Sequence, residues 1–188
     1  NTNMNVIFTG AKSFEKEYFN SLLDGELIHH NKNGVYINLY AAFDIYYLNK
    51  NDIRALSFVP DDKSKERHKC RRELLNNLVN NLTPVSIEQE NNPSSKSLVE
   101  RFKKSKEIIS PIRIECKKFY PENQKGSSIF DACNDILLKA NNNLFEYTTD
   151  GLIFTPAFFG VGSNKIGEAG PIKKETWKHS FKWKPPHY

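Results

Sequence analysis

The stretch Thr148-Thr149-Asp150-Gly151-Leu152-Ile153-Phe154-Thr155-Pro156 sets the pattern to which the other parts of the chain answer. An acidic residue, a glycine and a short apolar run follow a predicted helix, and a proline closes the run. Asp150 falls where a strand begins. Gly151 allows another group to approach the backbone closely. Leu152, Ile153 and Phe154 are the residues of a buried strand. A second acidic-glycine stretch lies upstream at Leu22-Leu23-Asp24-Gly25-Glu26-Leu27-Ile28, and a lysine-bearing stretch lies downstream at Phe181-Lys182-Trp183-Lys184-Pro185-Pro186.

Outward from these three stretches the chain mixes short strands and helices. Strands are expected at residues 6–9, 21–30 and 35–48, with Asn31-Lys32-Asn33-Gly34 as the turn of an antiparallel pair, because Asn and Gly tolerate positive φ. The 35–48 run is apolar on both faces and is expected to be central in its sheet. Asp61 and Asp62 are expected to open a helix that runs to residue 82, acidic side chains being favoured at its positive end. Cys70, Leu74, Leu75, Leu78 and Leu82 would form its apolar stripe. A short strand at 85–87, a helix over 98–109, a strand over 112–119 and a helix from Ser128 to the Asn141-Asn142-Asn143 run follow. The strand of Asp150, a glycine-rich loop over 160–170 and a strand over 177–184 complete the α+β order, with antiparallel sheets flanked by helices. The many asparagines read as a compositional bias without structural meaning.

At 188 residues one domain with a real core is expected. The net charge of +5 suits a polyanionic partner without demanding one. No apolar run is long enough to span a membrane, so no membrane partner is expected. Three scattered cysteines without a C-x-x-C pair predict a reducing compartment and no zinc site. His29 and His30 are adjacent, so on a strand they point to opposite faces.

Several side chains carry possible chemistry. Asp24 and Glu26 lie two apart on a strand and share a face. If the Asp150 strand is a neighbour, two or three carboxylates converge, a donor set for Mg²⁺ or Mn²⁺ bridging phosphate oxygens. Read alone, each Asp-Gly pair is equally a turn with a solvated carboxylate. Lys182 and Lys184 share one face of their strand, with Phe181 and Trp183 on the other, which is expected to be core. Two ammonium groups on a rigid strand neutralise an α-phosphate or a pyrophosphate leaving group; an edge strand guarded by lysines looks the same. Phe43 is either a core residue or a stacking surface for a purine. Lys63, Lys65, Arg67, His68, Lys69, Arg71 and Arg72 read as a solvated basic helix face, with an RNA or triphosphate contact as the alternative.

In order and spacing, LLDGELI, YAAFDIYYLN, DGLIFTP and FKWKPP, with NVIFTG, IECKKFY and EYTTDGLIFTP around them, resemble the nucleotidyltransferase motifs of GTP-dependent mRNA capping enzymes, in particular the guanylyltransferase domain of large DNA viruses of eukaryotes. The resemblance covers nearly the whole chain. It implies the covalent nucleotidyltransferase fold and a reaction in which a lysine takes GMP from GTP, releasing pyrophosphate, and passes it to the 5′-diphosphate end of RNA. It implies that Glu26 and Asp150 serve the metal and the catalytic centre. Phe43 would stack on the base, Ile153 would cover its other face, and Lys182 and Lys184 would hold the phosphates. Mg²⁺ or Mn²⁺ is the implied cofactor and GTP the substrate. Triphosphatase and methyltransferase domains or subunits of the parent are implied partners, and the cytoplasmic viral factory or the virion is the implied location.

The family's nucleophile belongs to a K-x-D-G motif upstream of the first acidic motif. Lys12 and Lys16 are the only lysines before Asp24, and neither is followed by x-D-G. The chain is therefore expected to be residues 1–188 of a nucleotidyltransferase domain from a longer protein, without the K-x-D-G strand and without the C-terminal oligonucleotide-binding domain. An ATP- or NAD-dependent polynucleotide ligase, which shares the acidic and lysine motifs, and a non-catalytic interaction module are the alternatives.

Overall fold

A computed structural model describes residues 9, 11–61, 69–82, 112–121, 126, 128–172 and 176–186. The expected strands at 6–9 and 85–87 and the expected helix at 98–109 lie outside the described residues. After a 3-10 turn at Lys16–Tyr18 come β1 (Leu22–His30), β2 (Tyr36–Leu48), β3 (Asn51–Asp52), α1 (Arg71–Asn80), β4 (Arg113–Cys116), α2 (Ile129–Asn141), β5 (Leu152–Phe154) and β6 (Phe181–Trp183). This is a small α+β fold. No helix among the described residues is long and apolar enough to cross a membrane.

β2 is the centre of a four-stranded sheet. β1 runs antiparallel along one edge through the Asn31–Gly34 turn, where Gly34 takes φ 77°. The other edge is shared: β4 pairs in parallel with Leu39–Ala42, and β3 pairs antiparallel with Tyr47 and Leu48. The parallel β4 departs from the all-antiparallel expectation. Asn49 and Lys50, at φ 48° and 68°, link β2 to β3. Positive φ at both central residues is the type I′ pattern whose twist suits a two-residue hairpin. β5 and β6 form a separate antiparallel pair.

α1 packs on β2. Leu75, Leu78 and Val79, spaced i, i+3 and i+4, bury themselves against Ala42 and Ile45, each large side chain contributing about 1.5–3 kcal/mol. The helix begins at Arg71 rather than at Asp61 as expected, with Lys69 and Cys70 outside it and Cys70 extended at its N-cap. Its first amides are satisfied by backbone. Arg71 N–H donates to Ser57 O and Arg72 N–H to Phe58 O, so no acidic cap is required. Nor does Arg71 lie on a solvated face. Its side chain is 0% exposed and its guanidinium grips both carboxylate oxygens of Asp44, at 2.8 and 3.2 Å. It also donates to the carbonyls of Leu56 and Phe159. α2 starts as its sequence predicts, with a capping box between Ser128 and Asp131. Its expected apolar face, Ile129, Cys133, Ile136, Leu137 and Ala140, is half-buried.

Candidate functional site

Glu26 leaves β1 opposite Ala41. The glycine before it is fixed by packing: a Cβ on Gly25 would meet the Tyr40 ring at 2.5 Å. Glu26 accepts a hydrogen bond from Lys117 Nζ at 2.6 Å. Lys117 follows β4, and its amide donates to Ala42 O at 2.7 Å, prolonging the parallel pairing. Phe43 is the extra residue of a bulge, since Asp24 pairs with Asp44 while Gly25 pairs with Ala42. Bulges re-aim side chains. The Phe43 ring is half-buried and stands apart from the core cluster of α1 and β2. The Lys117 ammonium lies 5.9 Å from its centroid, within cation–π range. Three chain segments thus deliver a carboxylate, an ammonium and an aromatic ring to one place.

Tyr147 belongs to the same neighbourhood. Burial pushes its phenol up from the ordinary range, the Lys117 ammonium works against this, and the Glu26, Glu115 and Glu146 carboxylates add to it. Its neighbour Glu146 is ion-paired with Arg113 of β4, and its carbonyl accepts from Lys32 N–H. Asp150 follows three residues later, so its Cα is within about 10 Å of that of Tyr147.

A second group forms there. Asp150 Oδ2 receives Lys184 Nζ at 2.6 Å. The hydrogen bond and charge of Lys184, with the charge of Lys182 behind them, hold the Asp150 carboxyl below its ordinary range. Ile153 and Lys182 are partners across the β5–β6 ladder and therefore share a face. Gly151, at φ 151°, lies against Trp183, whose carbonyl oxygen a Cβ would meet at 2.0 Å. This is the close backbone approach expected of it. The segment after β5 is tied to the body, since Phe58 N–H donates to Ala157 O at 2.8 Å.

The expected site residues therefore fall into two groups. One holds Glu26 and Phe43; the other holds Asp150, Ile153, Lys182 and Lys184. Asp24 joins neither. Its carboxylate accepts from Tyr46 O–H at 2.5 Å and from Gly25 N–H at 2.9 Å. Among the described residues no three of His, Cys, Asp and Glu form a metal-holding group, so the convergence of Asp24, Glu26 and Asp150 expected from the sequence does not appear. Glu26 and Asp150 remain hard oxygen donors, each now facing an ammonium. Such a set fits Mg²⁺ only in company with substrate phosphate oxygens, which is how one or two carboxylates ordinarily hold that ion.

Two further observations concern the lysine strand and a groove beside α1. Phe181 and Trp183 are not core; they are 61% and 43% exposed, and among the described residues β6 pairs with β5 alone. A groove of about 1060 Å³ between α1, residues 116–121 and α2 is lined by Arg72, Asn76, Phe119, Tyr120 and Lys139, and of the groups above only Lys117 reaches it. Lys117 is the residue that reading from local sequence missed. The K-K of IECKKFY was visible, but its meeting with Glu26 depends on a parallel pairing between distant strands. Comparison of the chain with protein-family models, curated proteins and solved structures finds no match in any of the three.

Proposed function

We propose that this chain is the nucleotide-binding part of an mRNA guanylyltransferase of the covalent nucleotidyltransferase class. The reading is carried by one observation: Phe43, Glu26 and Lys117 form one cluster, and the chain runs from it through Tyr147 to Asp150, Lys182 and Lys184. In this reading the base stacks on Phe43, which its bulge presents outside the core, and Ile153 covers the opposite face. The Lys117 ammonium, beside that ring, is a donor only. It matches the O6 acceptor of guanine and opposes the amino group that adenine carries at the same position. Lys182 and Lys184 neutralise the α-phosphate and the departing pyrophosphate. Glu26 and Asp150 would hold Mg²⁺ or Mn²⁺, which would supply positive charge against the phosphates.

The reaction would join a lysine nitrogen to the α-phosphorus of GTP while the α–β bridging bond breaks and pyrophosphate leaves. A terminal phosphate oxygen of a 5′-diphosphate RNA would then bond to that phosphorus as the P–N bond breaks and the lysine leaves as the amine, taking up a proton. The chain's own part is to bind, orient and compensate charge. Equilibrium binding of GTP and ATP, each with Mg²⁺, tests the assignment. GTP is expected to bind more tightly. Phe43→Ala and Lys182→Ala are expected to weaken it, and Lys117→Ala is expected to erase the preference over ATP, a charge-assisted hydrogen bond contributing about 1.5–3 kcal/mol. Tighter binding of ATP, or GTP affinity unchanged in both Phe43→Ala and Lys182→Ala, would overturn the proposal.

A further inference from the structure

Among the described residues Arg71 is the largest side chain to be fully buried, and the nucleotide reading gives it no part. Its guanidinium reaches three segments. Nε and one terminal nitrogen hold the two carboxylate oxygens of Asp44 on β2, at 2.8 and 3.2 Å. The other terminal nitrogen donates to Leu56 O and, at 3.4 Å, to Phe159 O in the segment that follows β5. Apolar residues of similar volume often stabilise a fold as well as a buried ion pair does. Nor does α1 need the guanidinium, since the amides of Arg71 and Arg72 already donate to backbone carbonyls. What the pair adds is a fixed geometry, because a guanidinium fork tolerates few arrangements of its partners.

That geometry belongs to the bulge of β2. Phe43 stands between two pins: Ala42 O accepts the Lys117 amide at 2.7 Å, and the Asp44 carboxylate is gripped by Arg71. On the β1 side the bulge is seated by Gly25, whose missing Cβ makes room for the Tyr40 ring, and by Asp24, which accepts from Gly25 N–H and Tyr46 O–H. A slip of one residue along a strand turns its side chains to the opposite face. Loss of the bulge would therefore turn the Phe43 ring away from Lys117. The bond to Phe159 O carries the same guanidinium to the chain just beyond β5, the strand of Ile153. One side chain thus joins the strand that presents Phe43 to the segment leaving the group of Asp150 and Ile153.

We propose that Arg71 and Asp44 are the positioning residues of the base slot: their ion pair locks the bulge that presents Phe43 and ties it to the segment after the Ile153 strand. Neither side chain touches the nucleotide; both act through Phe43. That the slot takes a base rests on the nucleotide reading, whereas the placing of Phe43 does not, and the two are measured separately.

The Asp44→Leu/Arg71→Met double variant removes both charges and leaves apolar side chains of similar volume, so it is expected to fold, as read by urea unfolding. Arg71→Lys keeps a charge beside Asp44 but gives up the fork. In the ligand-free protein, NOEs are expected between the Phe43 ring and the Lys117 side chain, whose ammonium lies 5.9 Å from the ring centroid. They are expected to vanish in the double variant and to weaken in Arg71→Lys. The double variant is expected to bind GTP with Mg²⁺ roughly 5- to 150-fold more weakly, the range of one base–aromatic stack. Its affinity for inorganic tripolyphosphate, which has no base, is expected to be unchanged. Phe43→Ala is expected to add no further loss in the double variant, because both changes remove the same contact. NOEs and GTP affinity both retained in the double variant, equal losses of GTP and tripolyphosphate binding, or a fully additive loss on Phe43→Ala would overturn the proposal. If the double variant unfolds, the same readings on Arg71→Lys decide. A wild-type chain that binds no GTP would overturn the nucleotide reading, and the NOE comparison would then decide by itself whether the pair places Phe43.

Discussion

Arg71 belongs to a run of basic side chains, yet its guanidinium has no access to solvent. It bonds Asp44 at two points, reaches the carbonyls of Leu56 and Phe159, and lies 5.5 Å from the Phe58 ring centroid. Burial pushes the Asp44 carboxyl up from its ordinary range and Arg71 pulls it back. Removing one partner leaves the other buried and alone. Arg71→Ala is therefore expected to cost about 3–5 kcal/mol, measured by urea unfolding. A loss below 1 kcal/mol would refute the pinning role. The pair at Asp150 behaves differently, since both side chains are largely in water. Its folded carboxyl value is depressed below the 3.8 of an unperturbed Asp. The pair's contribution is thus present above about pH 4 and fades as pH falls through the lower, folded value. In a carboxyl-resolved NMR titration, Asp150 is expected to titrate below the ordinary range, and Lys184→Ala to move it upward. An unmoved titration would separate Asp150 from Lys184.

At the scale of elements, the hydrophobic periods told most. Residues 21–30 and 35–48 were legible as an antiparallel pair with a central second strand, and Ser128 as the start of a helix, because each signal is local. The start of α1 was not, because the carbonyls of Ser57 and Phe58 take the place of a side-chain cap. The asparagines misled in the other direction. Asn20, Asn38, Asn49 and Asn143 all adopt positive φ, a conformation Asn tolerates better than most residues, so the bias has a structural use at those positions. The β5–β6 ribbon depends on Gly151 in the same way but more strictly, since φ 151° and the Trp183 carbonyl together exclude a side chain. Gly151→Ala is expected to open the ribbon, seen as lost hydrogen-exchange protection at Leu152–Phe154 and weaker GTP binding. Gly34→Ala, with φ 77° and no atom near its Cβ, is expected to lose only about 1 kcal/mol. Equal effects at the two glycines would remove the argument from close approach.

At the scale of the whole molecule, the order of the acidic, aromatic and lysine stretches was legible. Their grouping was not. Glu26 meets Lys117 only because β4 runs parallel beside β2, and no local pattern states which distant strand a strand will choose. The same limit applies to the attacking lysine of the proposed reaction, but here the structure adds a test. Lys12 and Lys16 are the lysines that precede Asp24. The Lys12 ammonium rests 4.9 Å from the Phe14 ring centroid, and Lys16 opens the 3-10 turn before β1. Neither carries the x-D-G that in the resembled family follows the attacking lysine. Attack on phosphorus needs the nitrogen held within near-contact distance and in line with the leaving group. Incubation of the 188-residue chain with α-labelled GTP and Mg²⁺, then denaturation and electrophoresis, is expected to leave the protein unlabelled, while non-covalent GTP binding persists and is weakened by Lys182→Ala. A labelled band that disappears on Lys12→Ala or Lys16→Ala would place the nucleophile within this chain. A labelled band that survives both substitutions but disappears on Lys117→Ala, Lys182→Ala or Lys184→Ala would move the attacking nitrogen into the site itself.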